Sequence, residues 1–512
     1  MIADGLSTLA DLLWAPLRDA EWGNFAGFWL RQLLDDRFTV ALFVPLLPLL
    51  LLAPRRWLRE AIVGTGLAFL FVAFGAPYAL FWLLNCSGFF VLTQWYAGRV
   101  ERHRLTIGPG APEGAIAKGE QRAFALVVSV IVVWYLLTML LRKIELPDEW
   151  NRWLFEYARW CFPFHVGDRV WTPGSPSAAE IIGTPKGQLA VQVFWNPHNI
   201  GTAYLVWRLL HYFSELRLGG IPETRRRFID FLAYLCYAPN LIQGPIERYP
   251  RFCEQLDACH GQRRWSDWPI GLARMGWGLS KSIIATLYFL PLLRDGLRMG
   301  SESAGYFHAP HLIENYALVY GGVFLIIFHL YLEFSGYCDV SAGMARLLGY
   351  RQVENFRWCW FATSLRDFWR RWHISLSSLL RDYVYIALGG NRQRAALNLV
   401  LTFVICGVWH IPNGYMAAWG AVMGLMLAVN QWWVGLMQRL DGRRSGVFSA
   451  IRRGVRRMHP LGPIVAWLFT MHCFVFSLLI FFGGRGAGRV TWEIVRRPLL
   501  ALTGAECFAS PS

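Results

Sequence analysis

The first residue in this chain placed to do chemistry is a histidine at the end of an apolar run. His410 closes the hydrophobic part of LNLVLTFVICGVWHIPNGYMAAWG (397–420), just ahead of Pro412, Asn413 and Gly414, which break or kink a helix. An ionisable side chain held at membrane depth is costly and marks a functional site. Burial disfavours the imidazolium, so His410 reads as a neutral imidazole able to accept a proton. A packing histidine with one satisfied hydrogen bond has the same local signature, and residue type alone leaves both readings open.

The second constellation is FRWCWFATSLRDFWRRWHISLSSLLRDYVYIALGGNR (356–392), where charge density rises abruptly between two apolar blocks. A lipid-facing helix could not carry so many ions, so this segment must lie at the interface or line a cavity. If 364–380 is helical, Leu365, Phe368, Trp372, Leu376 and Leu379 form one apolar face. Arg366, Arg370, His373 and Ser377 then fall on a separate stripe, and Asp367 stands four residues before Arg371 in the order that supports a helix. Guanidinium forks bind phosphate or carboxylate bidentately. An amphipathic helix facing lipid headgroups fits the same pattern.

Other chemistries find no foothold. There is no GxSxG elbow, Walker loop, strand-borne GxGxxG or HExxH. The ten Cys lack the spacing of a zinc site and read as packing residues, so no metal is expected. His329 and His472 lie inside apolar runs and read as hydrogen-bonding packing residues. The remaining histidines, His211 among them, lie near loops or span ends.

The elements that must position these residues are membrane helices. Of 512 residues, 55% are hydrophobic and 16% charged, against roughly a quarter charged in a soluble domain. About 20 apolar residues of helix cross a bilayer. Runs of that kind cover 39–53, 61–85, 123–141, 313–332, 414–437 and 461–483. Further stretches at 188–213, 228–246, 270–293 and 396–411 are broken by polar, Gly or Pro residues, as in helices facing protein or a cavity. The fold class is all-α, a polytopic integral membrane protein with roughly nine to eleven embedded helices.

The net charge is +16, and only four of the 50 basic residues are Lys. The clusters Arg55, Arg56 and Arg59, Arg225 to Arg227, and Arg452, Arg453, Arg456 and Arg457 flank apolar runs. That placement indicates topology and contact with anionic lipid headgroups, not nucleic-acid binding.

No repeat, low-complexity tract or soluble insert interrupts the chain, so 1–512 reads as a single membrane domain. Within it, 1–38 is an N-terminal segment and 331–437 holds the core motifs. The 1–38 segment carries Asp4 and Asp11 and no basic leader, so no cleavable signal is expected. Gly/Pro-rich stretches at 105–119 and 172–187 read as exposed connections.

The run RDFWRRWHISLSSLLRDYVYIALGGNR (366–392) followed by GVWH (407–410) resembles the membrane-bound O-acyltransferase family. The likeness is to its bacterial branch of alginate O-acetylation and teichoic acid D-alanine transfer proteins. YLEFSGYCDVSAGMARLLGYRQVENF (331–356), APNLIQGPIERYPRF (238–252) and, more loosely, FTMHCFVFSLLIFF (469–482) keep the same order.

The resemblance implies a helical funnel or tunnel with His410 at its narrow point as the catalytic residue and His373 facing the same cavity. It implies that Arg366, Asp367, Arg370, Asp382, Asn391 and Arg392 shape the site, with Tyr337 and Asp339 as polar wall. It further implies acyl transfer, acetyl above all, from a thioester to a hydroxyl of an exported cell-envelope polysaccharide at a bacterial inner membrane. The donor would be acetyl-CoA or a carrier-protein thioester, with no tightly bound cofactor. Partners would be membrane lipids, the polysaccharide or an acyl-accepting protein, and a periplasmic acetylation protein. A transporter or pore for an anionic polymer would also line a cavity with charge, but no paired repeats support it. A non-catalytic scaffold for a partner transferase would leave acylation indifferent to His410.

Overall fold

The computed structural model describes residues 46–74, 76–107, 113–141, 202–241, 243–289, 316–441 and 461–482. Every regular element among them is helical. In order they are α1 (Leu46–Leu52), α2 (Leu58–Phe74), α3 (Ala76–Ile107), α4 (Glu113–Leu141), α5 (Thr202–Leu218), α6 (Phe228–Cys236) and α7 (Tyr249–Gln262). Next come α8 (Asp267–Ile284), α9 (Tyr316–Leu347), α10 (Leu365–Trp369), α11 (Ile374–Leu379), α12 (Ala395–His410), α13 (Gly414–Asp441) and α14 (Leu461–Phe482). The N-terminal segment 1–38 and the connection 172–187 lie outside the described residues. The connection at 105–119 is shorter than its composition suggests, because α3 runs to Ile107 and α4 begins at Glu113.

Four stretches among the described residues are long and apolar enough to cross a bilayer: Glu120–Leu137, Gly321–Leu347, Gly414–Arg439 and Leu461–Leu478. Their outward faces stay apolar, as at Val133, Val429 and Phe469, because lipid offers no partner for a polar group. The chain is thus a polytopic all-α membrane protein.

Two compact units form. One gathers Phe28–Met275 and Val340–Val353, the other Gly276–Asp339 and the chain from Glu354 onward. The motif stretch 331–437 therefore contributes to both.

In the first unit, buried polar groups fix the 238–252 stretch. The buried Arg208 guanidinium donates to the carbonyls of Tyr234, Leu235 and Asn240, and Glu247 Oε1 accepts the Val353 N–H at 2.7 Å. His211, which its sequence position places near a span end, is buried in α5 and accepts the Tyr249 N–H at 2.7 Å. Two of the arginine clusters are more than headgroup anchors, and the third, Arg452, Arg453, Arg456 and Arg457, lies outside the described residues. Arg59 pairs with Asp230 and Asp257, Arg227 with Asp230 and Arg225 with Asp257, while Arg55 and Arg56 stay exposed.

The second unit has a core of Ile326 and Ile327 from α9, Phe368 and Trp372, Phe403, Met423, and Phe474 and Val475 from α14. Helices α12 and α13 pack with backbones in close approach. A Cβ at Gly407 would overlap the Met416 carbonyl, and one at Gly420 the Phe403 carbonyl. Gly420 and Gly424 form the small-xxx-small spacing that permits such packing in a membrane.

Candidate active site

His410 is the last residue of α12, and the chain turns extended at Ile411 (φ −150°). Asn413 Oδ1 then accepts the Met416 N–H at 2.9 Å, starting α13. The break expected at Pro412 to Gly414 is present and sets His410 at a helix end. Its half-buried ring lies against Trp409 (centroids 4.5 Å apart), Trp419 (6.0 Å, 80°) and Phe481 (5.3 Å, 81°). The surroundings are aromatic, with α13 and α14 as two of the walls.

His373 is positioned differently. The expected helix over 364–380 is interrupted. Helix α10 ends at Trp369, His373 adopts a left-handed conformation (φ 44°), and α11 starts at Ile374. The cause is Asn355. Its carbonyl accepts the Ile374 N–H at 2.9 Å, and its Oδ1 accepts the N–H and Oγ–H of Ser375 at 3.1 and 2.9 Å. These bonds replace the helical ones across the break and offset the cost of left-handed backbone at a non-glycine residue.

His373 is 4% exposed, edge-on to Phe334 at 4.8 Å, with Nδ1 3.3 Å from Asn355 Oδ1. An amide oxygen only accepts, so this contact assigns the proton to Nδ1 and leaves Nε2 as an acceptor. His373 lies outside the spanning helices, and burial, followed by the charge of nearby His410, lowers its pKa below the ordinary histidine range. The two histidines share the second unit.

The apolar face foreseen for 364–380 is fully buried: Leu365, Phe368, Trp372, Leu376 and Leu379 all belong to the interior. Arg371 Nε donates to Asp367 Oδ1 at 2.9 Å, the expected pair. The stripe uniting Arg366 and Arg370 with His373 does not form, because the break at His373 rotates it out of register. Arg366, Arg370, Asn391 and Arg392 are exposed, while His373 is buried. Asp382 pairs with Arg381 at 2.7 Å, and Asn391 Oδ1 accepts from Tyr385 Oη at 2.6 Å and Gln431 Nε2 at 3.0 Å.

Tyr337 is half-buried on α9. Asp339 is in an ion pair with Lys281 Nζ at 2.6 Å, and Lys281 also donates to Ser335 Oγ at 3.3 Å. Close approach of α8 and α9 allows this, since a Cβ at Gly336 would collide with the Gly278 carbonyl. His329 Nδ1 lies 3.1 Å from the Ala285 carbonyl, the packing bond expected of it, and His472 Nδ1 lies 2.6 Å from the Leu468 carbonyl of its own helix, with its ring edge-on to Phe324 of α9.

Three residues at this site were not singled out from sequence. Lys281 carries a usable signal, a rare lysine inside the interrupted apolar run 270–293. Asn355 and Trp419 carry none, since a lone amide and one of 26 tryptophans acquire meaning only from what they touch.

A model of the family described as "MBOAT, membrane-bound O-acyltransferase family" matches residues 198–482, more than half of the chain and all of the site above. A probable alginate O-acetylase of Azotobacter vinelandii is 32% identical over 235 residues, covering 45% of this chain and 44% of that protein. A peptidoglycan O-acetyltransferase of Helicobacter pylori is 30% identical, covering 50% and 44%. A teichoic acid D-alanyltransferase of Streptococcus thermophilus is 26% identical, covering 48% and 61%. The chain spans about half the length of these curated relatives. With the family match extending over most of its described helices, the chain belongs to the membrane-bound O-acyltransferase family.

Proposed function

We propose that this protein is an O-acyltransferase that moves an acyl group, acetyl in the first instance, from a thioester to a hydroxyl of an exported cell-envelope polysaccharide. The observation that carries this reading is the pair of histidines: His410 half-buried at a helix end among aromatic rings, with His373 buried and oriented by Asn355. The similar proteins are named for acetyl or D-alanyl transfer to alginate, peptidoglycan and teichoic acid, which supports a polymeric acceptor.

His410 acts as general base and takes the proton of the acceptor hydroxyl as its oxygen attacks the thioester carbonyl carbon. A positioned base of this kind contributes typically ~10²–10⁴-fold. The C–S bond then breaks, the thiolate leaves with its electron pair, and the His410 imidazolium returns the proton to sulfur. His373 orients the reactants through Nε2, and the aromatic walls exclude the water that would hydrolyse the donor. The donor is acetyl-CoA or a carrier-protein thioester. The setting is a bacterial inner membrane, with a periplasmic acetylation protein as partner. Mass spectrometry of envelope polysaccharides from a strain lacking the protein and from its parent tests this. Loss of a defined ester is the expected result, and an unchanged ester profile refutes the reading.

A further inference from the structure

Trp419 is 2% exposed, and its indole Nε1 is buried without a hydrogen-bond partner among the described residues. Leaving such a donor unpaired costs about 1–3 kcal/mol, so it calls for an explanation. The ring stands edge-on to His410 (6.0 Å) and to Phe481 (5.1 Å, 77°), and its Cε3 edge faces Gly407. Cε3 and Nε1 occupy opposite edges of an indole, so the N–H points away from Gly407. The indole of Trp360 is likewise unpaired, but it lies against Phe328 and Tyr331 instead of His410.

We propose that Trp419 Nε1–H is a catalytic hydrogen-bond donor to the thioester carbonyl oxygen. This rests on the acyl-transfer reading above. As the hydroxyl oxygen bonds to the carbonyl carbon and His410 takes its proton, the carbonyl π electrons move onto oxygen. The indole N–H donates to that oxyanion without giving up its proton. When the C=O bond re-forms, the C–S bond breaks and the thiolate takes the proton from His410. A donor whose ring is fixed by His410 and Phe481 is already oriented once the entering thioester opens a path to it. The cost of burying it is carried by the resting protein and recovered in the transition state.

Trp419→Phe removes the N–H and keeps an aromatic ring. Its kcat is expected to fall about a hundredfold or more, the usual loss of an oxyanion donor, with KM within about twofold of wild type. Its melting temperature in detergent is expected to fall only slightly, because the cavity left by the smaller ring is offset by loss of an unsatisfied donor. A purely packing role predicts the reverse, kcat near wild type or a loss that tracks a lower melting temperature, and either result overturns the assignment. Benzothienylalanine at position 419, with sulfur in place of N–H on the same ring frame, settles the case if the Phe variant does not fold. It should show the same loss of kcat, and wild-type turnover with it overturns the proposal. A wild-type protein that transfers no acyl group from any thioester overturns the acyl-transfer reading itself, an outcome distinct from an active Trp419→Phe variant.

Discussion

The ammonium of Lys281 lies 2.6 Å from the carboxylate of Asp339, joining α8 to α9, with the two side chains only 13% and 15% exposed. Removing one member of a buried pair strands the other charge and costs about 3–5 kcal/mol, whereas replacing both by apolar residues of similar volume is often neutral. Lys281→Met is therefore expected to lower the melting temperature of extracted protein markedly, and Lys281→Met with Asp339→Leu to recover most of the loss. A double variant no more stable than the single one would show that the pair is not a unit.

Asn355 holds His373 by a single oxygen that also binds Ser375. In ¹⁵N spectra of histidine-labelled protein, His373 should show a protonated Nδ1 and an unprotonated Nε2, with its signal identified by its absence from His373→Gln. The opposite tautomer would contradict the assignment. Asn355→Leu should lower turnover about as far as His373→Gln does and no further, since Asn355 acts on the reaction through His373.

Gly407 and Gly420 let α12 and α13 approach until a Cβ has no room. Gly420→Ala is expected to destabilise the protein by about 1–3 kcal/mol, the usual cost of overpacking. It should also reduce activity, because His410 and Trp419 sit on these two helices. Unchanged melting temperature and unchanged turnover together would count against this close packing.

Asp257 and Asp267 give the first unit a defined acid response. Burial alone would raise both carboxyls, but Arg225 and Arg59 outweigh it at Asp257, as Arg351 and Arg346 do at Asp267, and both are held below the ordinary range. A group whose folded pKa is depressed contributes stability that is complete above its unfolded value, about 3.9, and is lost as pH falls through the folded value. The melting temperature should therefore drop as pH falls below about 4, and a variant with Asp257→Asn and Asp267→Asn should show a flatter dependence from a lower plateau. An identical slope in wild type and variant would remove these ion pairs from the account.

Much of this was legible in the residues. The apolar run ending at His410 before Pro412 became a helix ending at that residue, because a turn at Pro-Asn-Gly leaves little alternative. The Asp367–Arg371 pair formed because both residues lie at a local spacing. The break at His373 was not legible, since periodicity sees neighbours in sequence, and Asn355 acts from 18 residues away. For the same reason Lys281 and Asp339, 58 residues apart, met only in the folded chain, and the arginine stripe dispersed once the helix beneath it was interrupted.

The central claim is that His410 is the base, and ester formation per folded protein tests it most directly. Membranes carrying the wild type, His373→Gln or His410→Gln would be supplied with a radiolabelled acetyl thioester, with each protein quantified after extraction. Gln keeps a hydrogen-bonding group of similar reach but cannot take a proton. The account predicts partial ester formation in His373→Gln and almost none in His410→Gln. Ester at the wild-type level in folded His410→Gln would contradict it.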